Sequence, residues 1–325
     1  MKQEKLEKKV KEIFEREDFK VKNGKAVKPG VKLEIGVYSS EKFSEEDVDL
    51  SKDRVFVDEG LQIEDAYTIE NEKKYDLPSF EMMGDIAVIN DLSGRPREEA
   101  VEGILQHHDV KTILLKTSGL SGEYRVGEYE KLYGEETETI HKEHGKKLKV
   151  DPTQAYYSER FSTERKRVAE QIEEDENVLV MFAGVGPFAV LAAEKAEKVV
   201  AVEKNPEACK YLKENVELNG LKEGIDARCG DVREVLPTID EEFDRVIMPL
   251  PESAIEFMDL AIQASKKEAI IHLYTFVENQ EFGAVDEKLE ENFSEEGLNY
   301  KVLDRVRCGY KSPSEDRYCL DIKVS

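Results

Sequence analysis

The C-terminal half of the chain predicts an α/β fold: a seven-stranded, mostly parallel sheet with helices on both faces. Three observations predict it. From about residue 165, short apolar runs alternate with stretches of helical periodicity, the pattern of a parallel sheet covered on both sides. Two glycines lie between the first of those runs and its helix. The last two runs, 300–308 and 316–324, are separated only by "GYKSPSE", too short for a crossover, so they form a hairpin and one strand is reversed.

Each element can be read in order. Residues 3–17 look like a short, highly charged helix, and 21–40 carry Asn-Gly and Pro-Gly turn signals between short apolar stretches, a small β element. Residues 41–53 are acidic and expected to be exposed. A polar stretch with Pro78 reads as a linker. "MMGDIAVIN" (82–90) is a strand, 95–108 a helix and 110–117 a strand. Residues 124–132, 138–143 and 147–151 read as further strands. The alternation then runs strand 177–182, helix 188–196, strand 198–203, helix 206–219, strand 225–230, short helix 232–236, strand 244–250, helix 253–265 and strand 268–276. A helix through the 280s and 290s precedes the hairpin. Three regions result: 1–70, an α+β block at 71–151, and the α/β domain at 152–325.

Composition narrows the class. The chain has 325 residues, 37% of them charged and 39% hydrophobic, with a net charge of −24. The longest apolar runs are strand-sized, well short of the roughly 20 residues a spanning helix needs, and the charged N-terminus lacks a signal-peptide core. A cytoplasmic protein with no membrane partner is expected. Cys209, Cys229, Cys308 and Cys319 form no CxxC, so no zinc site is expected, and Cys308 and Cys319 read as free buried thiols. His141 and His144 lack a nearby ligand cluster, so no metal is expected there either. The acidic surplus speaks against a polyanionic partner. Two basic clusters run against it: "HKEHGKKLK" (141–149) and "RFSTERKR" (160–167).

The loop "GVGPFA" (184–189) fits G-x-G-x-x-G/A between strand and helix, and Glu203 ends the next strand, where a carboxylate can accept both ribose hydroxyls of an adenosine. A dinucleotide and S-adenosylmethionine both suit that pattern. Three further features favour S-adenosylmethionine. Asp231 follows the third strand, where it can meet an adenine amino group. The fourth strand ends in Pro249-Leu250-Pro251, at the edge where an acceptor base would arrive. The terminal hairpin gives the arrangement of class I methyltransferases.

The chain resembles the archaeal and eukaryotic tRNA (guanine-N1) methyltransferases that act on guanosine 37. The matching stretches include "SFEMMGDIAVIN" (79–90), "TSGLSGEYRVGEYEKLYGEETETIHKEHG" (117–145), "VDPTQAYYSERFSTER" (150–165), "MFAGVGPF" (181–188) and "DRVIMPLPESAIEFMDLA" (244–261). They span about 79 to 325 in the right order. The resemblance implies a class I methyltransferase preceded by a small RNA-binding α+β domain. It implies that residues 1–70 are a divergent version of the family's tRNA-elbow-binding domain, where the match is poor. One departure stands out: many members have Asn-Leu-Pro where this chain has Pro249-Leu250-Pro251, so a hydrogen-bonding side chain is replaced by backbone groups.

The resemblance also assigns roles. Methylating N1 of guanine requires loss of the N1 proton, which a carboxylate can take, and a cation at O6 stabilises the charge that develops. Glu164 matches the general base and Arg125 the cation. Tyr156, Phe182, Gly184, Gly186, Glu203, Asp231 and Pro249 match positions that place S-adenosylmethionine. Taken alone, Glu164 among arginines reads as half of a helix-surface ion pair, and Arg125 as a solvated strand residue. Lys142, Lys146, Lys147, Arg160 and Arg165 are candidates for tRNA phosphates, with Pro251 near the target base. Tyr157 and Phe161 are expected to divide between core packing and base stacking. A monomer is expected. The rival on the same fold is a wybutosine-pathway enzyme, which transfers the aminocarboxypropyl group of S-adenosylmethionine or methylates a tricyclic guanine derivative.

Overall fold

The computed structural model describes residues 75–119, 122 and 124–325, together with the backbone of five short strands between residues 20 and 56. The chain divides into two compact units, Met1–Lys74 and Tyr75–Ser325. In the first, β1 (Lys20–Lys22), β2 (Lys25–Lys28) and β3 (Val31–Lys32) pair antiparallel, the β element expected there. β4 (Glu34–Gly36) pairs parallel with β5 (Arg54–Phe56). The helix expected at 3–17 and the acidic stretch at 41–53 lie outside the described residues.

The second unit opens with a four-stranded sheet in the order β6 (Phe80–Met83), β7 (Ile86–Ile89), β8 (Thr112–Lys116) and β9 (Tyr129–Tyr133). β7 and β8 run parallel and are joined through α1 (Arg97–His107). Alternation along these strands sorts the residues. Ala87, Ile89 and Ile113 pack with Ala100 and Ile104 of α1, whereas Ile86, Val88 and Leu114 point to the other face. There they join a core that includes Leu148, Val178 and Val180, so this sheet is built onto the α/β domain. β10 (Thr139–Glu143) and β11 (Lys146–Val150) form a separate antiparallel hairpin.

α2 (Ser162–Glu170) leads into the large sheet, whose order is β14-β13-β12-β15-β16-β18-β17. Its strands are β12 (Asn177–Val180), β13 (Lys198–Glu203), β14 (Ile225–Cys229), β15 (Phe243–Met248), β16 (Ser265–Glu278), β17 (Tyr300–Ser312) and β18 (Glu315–Val324). β18 is inserted between β16 and β17 and is antiparallel to both, the one reversed strand that the short terminal loop demanded. The loop is tighter than expected, because the strands continue through most of "GYKSPSE". Helices α3 (Pro187–Ala192), α4 (Pro206–Leu218), α5 (Val232–Val235), α6 (Met258–Gln263) and α7 (Gly283–Glu295) complete the alternation. Val178 and Val180 face one core, Leu179 and Met181 the other, as a sheet covered on both faces requires.

Cys308 and Cys319 are free, Cys319 buried and Cys308 partly so. Cys209 of α4 and Cys229 of β14 are joined in a disulfide, which their spacing did not suggest. Among the described residues no helix is long and apolar enough to cross a membrane.

Candidate active site

The carboxyl ends of β12, β13, β14 and β15 open onto a cavity of about 530 Å³. Gly184, Glu203, Asp231, Pro249, Arg125 and Tyr156 all line it. Residues far apart in sequence, from the four-stranded sheet's connection and from four strand ends of the large sheet, therefore share one chamber.

The glycine loop explains the chamber's floor. Phe182 follows β12 with φ +56, a conformation that costs a side-chain-bearing residue free energy, and it packs edge-on against Phe257. Gly184 (φ +59) and Gly186 (φ +91) are also left-handed. Their reasons differ. A Cβ on Gly184 would meet only the Tyr156 carbonyl at 3.9 Å, so its bare face borders the cavity. A Cβ on Gly186 would lie 2.5 Å from Leu212 Cδ1. Gly186 does not line the cavity; it lets α3 approach α4 and so positions the loop rather than touching a ligand.

Glu203 is oriented by the backbone. Its Oε2 accepts the Gly184 N–H at 2.6 Å and its Oε1 the Asn205 N–H at 2.7 Å. Burial pushes its carboxyl pKa up, opposed by these backbone bonds. Asn205 is held in turn: it caps α4 through the Glu207 N–H and donates to the Gln154 carbonyl. A carboxylate has about four acceptor sites, so each Glu203 oxygen keeps capacity for a hydroxyl of a ribose. Open glycine face, anchored carboxylate and cavity size together fit the adenosine of S-adenosylmethionine.

Asp231 differs from expectation. It caps α5 and its oxygens accept from the Arg233 backbone N–H, Arg233 Nε, Arg233 Nη2 and Lys204 Nζ at 2.7–3.0 Å. Arg233 holds its pKa well below the usual carboxylate range, against burial and with help from Lys204. Its acceptor sites are filled by these two cations, so contact with an adenine amino group requires one of them to move.

The cavity also contains Arg125 and the Pro249-Leu250-Pro251 turn. Arg125 lies in a turn at φ +54, not in a strand, and pairs with Glu252 at 2.9 Å. Tyr156 is 42% exposed at the cavity wall. Glu164 is not on that wall. It is buried in the first turn of α2, where Arg167 donates to both its oxygens at 2.8 Å and Tyr274 donates its hydroxyl at 2.8 Å. The ion-pair reading of Glu164 is thus realised, but inside the protein instead of on a helix surface.

The RNA candidates separate by environment. Lys142 and Lys147 are exposed and face one another across the β10–β11 hairpin, with no ion pair to a carboxylate among the described residues. Like charges placed opposite each other repel, and a bound anion relieves that. Lys146 pairs with Glu194 and Arg160 with Glu81. Arg165 is corrected outright. It is 4% exposed, forms a two-pronged pair with Glu143 and stacks on Tyr157, so no phosphate reaches it. Tyr157 is core, and Phe161 lies beneath the guanidinium of Arg317 at 3.8 Å. His141 packs on Tyr157 and His144 bonds Ser162. Sequence reasoning missed Arg317 and Glu252, both on the cavity wall.

A doubly wound sheet with one reversed strand, a glycine loop and a backbone-anchored acidic strand end defines a class I methyltransferase, whose cofactor is S-adenosylmethionine. The chain belongs to the TRM5/TYW2 methyltransferase family: the model described as "TRM5/TYW2 methyltransferase domain" matches residues 139–303, and "TYW2 N-terminal domain" matches 66–137. It is 39% identical over 252 residues to the tRNA (guanine(37)-N(1))-methyltransferase Trm5b of Pyrococcus abyssi, covering 76% of this chain and 75% of that one. The structure of a complex of aTrm5 with tRNALeu superposes with a TM-score of 0.69 at 34% identity, covering 76% and 72% of the two chains. TYW2 of Methanocaldococcus jannaschii in complex with AdoMet superposes with a TM-score of 0.59 at 28% identity, covering 76% and 99%.

Proposed function

We propose that the protein transfers the methyl group of S-adenosylmethionine to N1 of guanosine 37 in tRNA, acting as a cytoplasmic monomer. The observation that carries this reading is the meeting of Arg125, Tyr156 and the Pro-Leu-Pro turn around the Gly184–Glu203 cavity, in a chain so close to a named guanosine-37 enzyme.

S-adenosylmethionine supplies an electrophilic methyl when bound. Gly184 and Glu203 hold its adenosine, and the backbone of Pro249 to Pro251 meets the flipped base. Arg125, released from Glu252, donates to guanine O6 and stabilises the charge that develops as N1 loses its proton. Glu164 takes that proton, which requires its carboxylate to turn from Arg167 and Tyr274 toward the cavity. Lys142 and Lys147 neutralise phosphate outside the cavity.

The test is transfer from S-adenosylmethionine labelled separately in the methyl and the carboxyl group, to tRNA transcripts with guanosine or adenosine at position 37. Methyl label on N1 of guanosine, none on adenosine, and a loss of about 100-fold or more in Glu164→Gln are expected, with cofactor affinity kept. Glu252→Gln is the companion variant: it lines the cavity and pairs with Arg125, and a loss below about tenfold is expected. A deeper loss there than in Glu164→Gln moves the base role to Glu252.

The second reading, aminocarboxypropyl transfer, draws on the match of residues 66–137 to a TYW2 N-terminal domain. Carboxyl label appearing in a tRNA that carries the tricyclic guanine derivative, with no methyl transfer to guanosine, would favour it.

A further inference from the structure

Three arginines line the cavity: Arg125, Arg233 and Arg317. Arg125 pairs with Glu252 and Arg233 with Asp231. Arg317 has no ion pair to a carboxylate among the described residues. Its guanidinium lies on the ring of Phe161 at 3.8 Å and near that of Phe276 at 5.3 Å, and its Nε is buried without a hydrogen-bond partner. Stacking on an aromatic face fixes the plane of the fork and leaves its edge for an anion.

Sheet order says which ligand comes within reach. Arg317 opposes Phe276 near the carboxyl end of β16, on the same sheet edge as the glycine loop. In the order β14-β13-β12-β15-β16-β18, β18 is four strands from β13, which carries Glu203, and two from β15, which ends at the Pro-Leu-Pro turn. At ~4.8 Å per strand that is ~19 Å from the adenosine side and ~10 Å from the acceptor side. The glycine loop that follows β12 is ~14 Å away.

We propose that Arg317 grips the backbone phosphate of the acceptor nucleotide, with Phe161 as the plate that holds its guanidinium flat. This rests on the reading of the protein as a tRNA methyltransferase. Arg125 reads the base and Arg317 fixes the sugar–phosphate backbone that the flipped base hangs from. A planar fork donates two parallel hydrogen bonds to a phosphate, which a lysine does not reproduce.

The experiment measures tRNA affinity across a salt series, S-adenosylmethionine affinity and single-turnover methyl transfer for wild type, Arg317→Gln and Arg317→Lys. In Arg317→Gln, tRNA affinity should fall about tenfold at low salt, and the slope of log K against log salt should shrink by about 1. Cofactor affinity and the preference for guanosine over adenosine at position 37 should not change. Arg317→Lys, which keeps the charge, should recover the slope but not all of the transfer rate. Unchanged tRNA affinity and slope in Arg317→Gln overturn the proposal. So does lost cofactor affinity with tRNA binding intact, which assigns the guanidinium to the methionine carboxylate, and so does lost guanosine preference at unchanged slope, which makes it a base reader. If wild type binds no tRNA at any salt, the underlying reading fails instead.

Discussion

Gly184 and Gly186 share a motif and a left-handed backbone, yet their neighbours make them separable by mutation. At Gly186 an added methyl meets Leu212 at 2.5 Å in a backbone conformation that alanine disfavours. Gly186→Ala should destabilise the domain by about 2 kcal/mol or more, seen as a lowered melting temperature. Gly184 has the same kind of backbone but open space around it. Gly184→Ala should cost about 1 kcal/mol of stability and weaken S-adenosylmethionine binding, because its methyl occupies the ligand's approach. Calorimetry and a cofactor titration on both variants check this. Equal stability losses with equal affinity losses would remove the distinction between a packing glycine and a contact glycine. The motif alone did not show it: Leu212 lies on the next helix, and only the packed structure brings it to Gly186.

At the scale of elements, the β10–β11 hairpin is fastened to α2 by a buried charge pair. Arg165 donates Nε to Glu143 Oε1 at 2.7 Å and Nη2 to Glu143 Oε2, and Tyr157 donates its hydroxyl to the same carboxylate at 2.8 Å. Burial works to raise the Glu143 pKa, but the guanidinium outweighs it and the net direction is down. Glu143→Gln leaves Arg165 buried without its counter-charge and should cost about 3 kcal/mol or more, read from denaturant unfolding. The double change Glu143→Leu with Arg165→Met should recover most of it; a double change no better than the single one would show that packing, and not charge, is at stake. This pair also marks the limit of sequence reading. The alternation of β12 to α7, the reversed strand β18 and the glycine loop were legible, because periodicity and loop length are local properties. The partners of Arg165, Glu164 and Arg125 were not. Those partners, Glu143, Arg167 with Tyr274, and Glu252, are chosen by packing, and a basic run reads the same whether its arginines meet solvent or a buried carboxylate. Arg317 had no local signal at all, since its meaning comes from Phe161 beneath it and the cavity in front.

Across the α/β domain, the charge pairs of α2 and the sheet join into one chain that runs through the buried His272 and Asp321. Glu164 accepts from Arg167, which also donates to Asp321. Asp321 is bonded to His272 Nδ1 at 2.7 Å, and His272 Nε2 faces Arg245 Nη1 at 2.7 Å. Arg245 reaches Glu176 and the Gln171 carbonyl at the end of the segment after α2. With Arg245 as a donor on one side, His272 is a neutral imidazole that donates Nδ1–H to Asp321 and accepts at Nε2. Burial lowers its pKa, with the attraction of Asp321 opposing and the nearby arginines assisting. Burial also works to raise the Asp321 pKa, but His272 and Arg167 win and hold it far below the usual carboxylate range.

The signs then set the pH profile. A histidine with a depressed folded pKa takes up its proton more readily in the unfolded chain, so its contribution is complete above about pH 6.5 and is lost as pH falls below that. A carboxylate with a depressed folded pKa contributes fully above about pH 4 and loses that contribution below it. Stability should therefore decline in two stages on acidification. The first begins near pH 6.5 with a slope of at most about 1.4 kcal/mol per pH unit from His272. The second begins near pH 4, as Asp321 and Glu143 lose their charge-pair stabilisation, and is the steeper. His272→Gln removes one of two histidines whose pKa burial depresses, the other being the half-buried His141, and should make the first stage shallower while leaving the second. Denaturant unfolding from pH 8 to pH 3 on wild type and variant decides it. A His272→Gln profile that falls as steeply as wild type between pH 7 and pH 5 would mean that His272 keeps its ordinary affinity for protons and that the chain from Glu164 to Glu176 is not the closed network described.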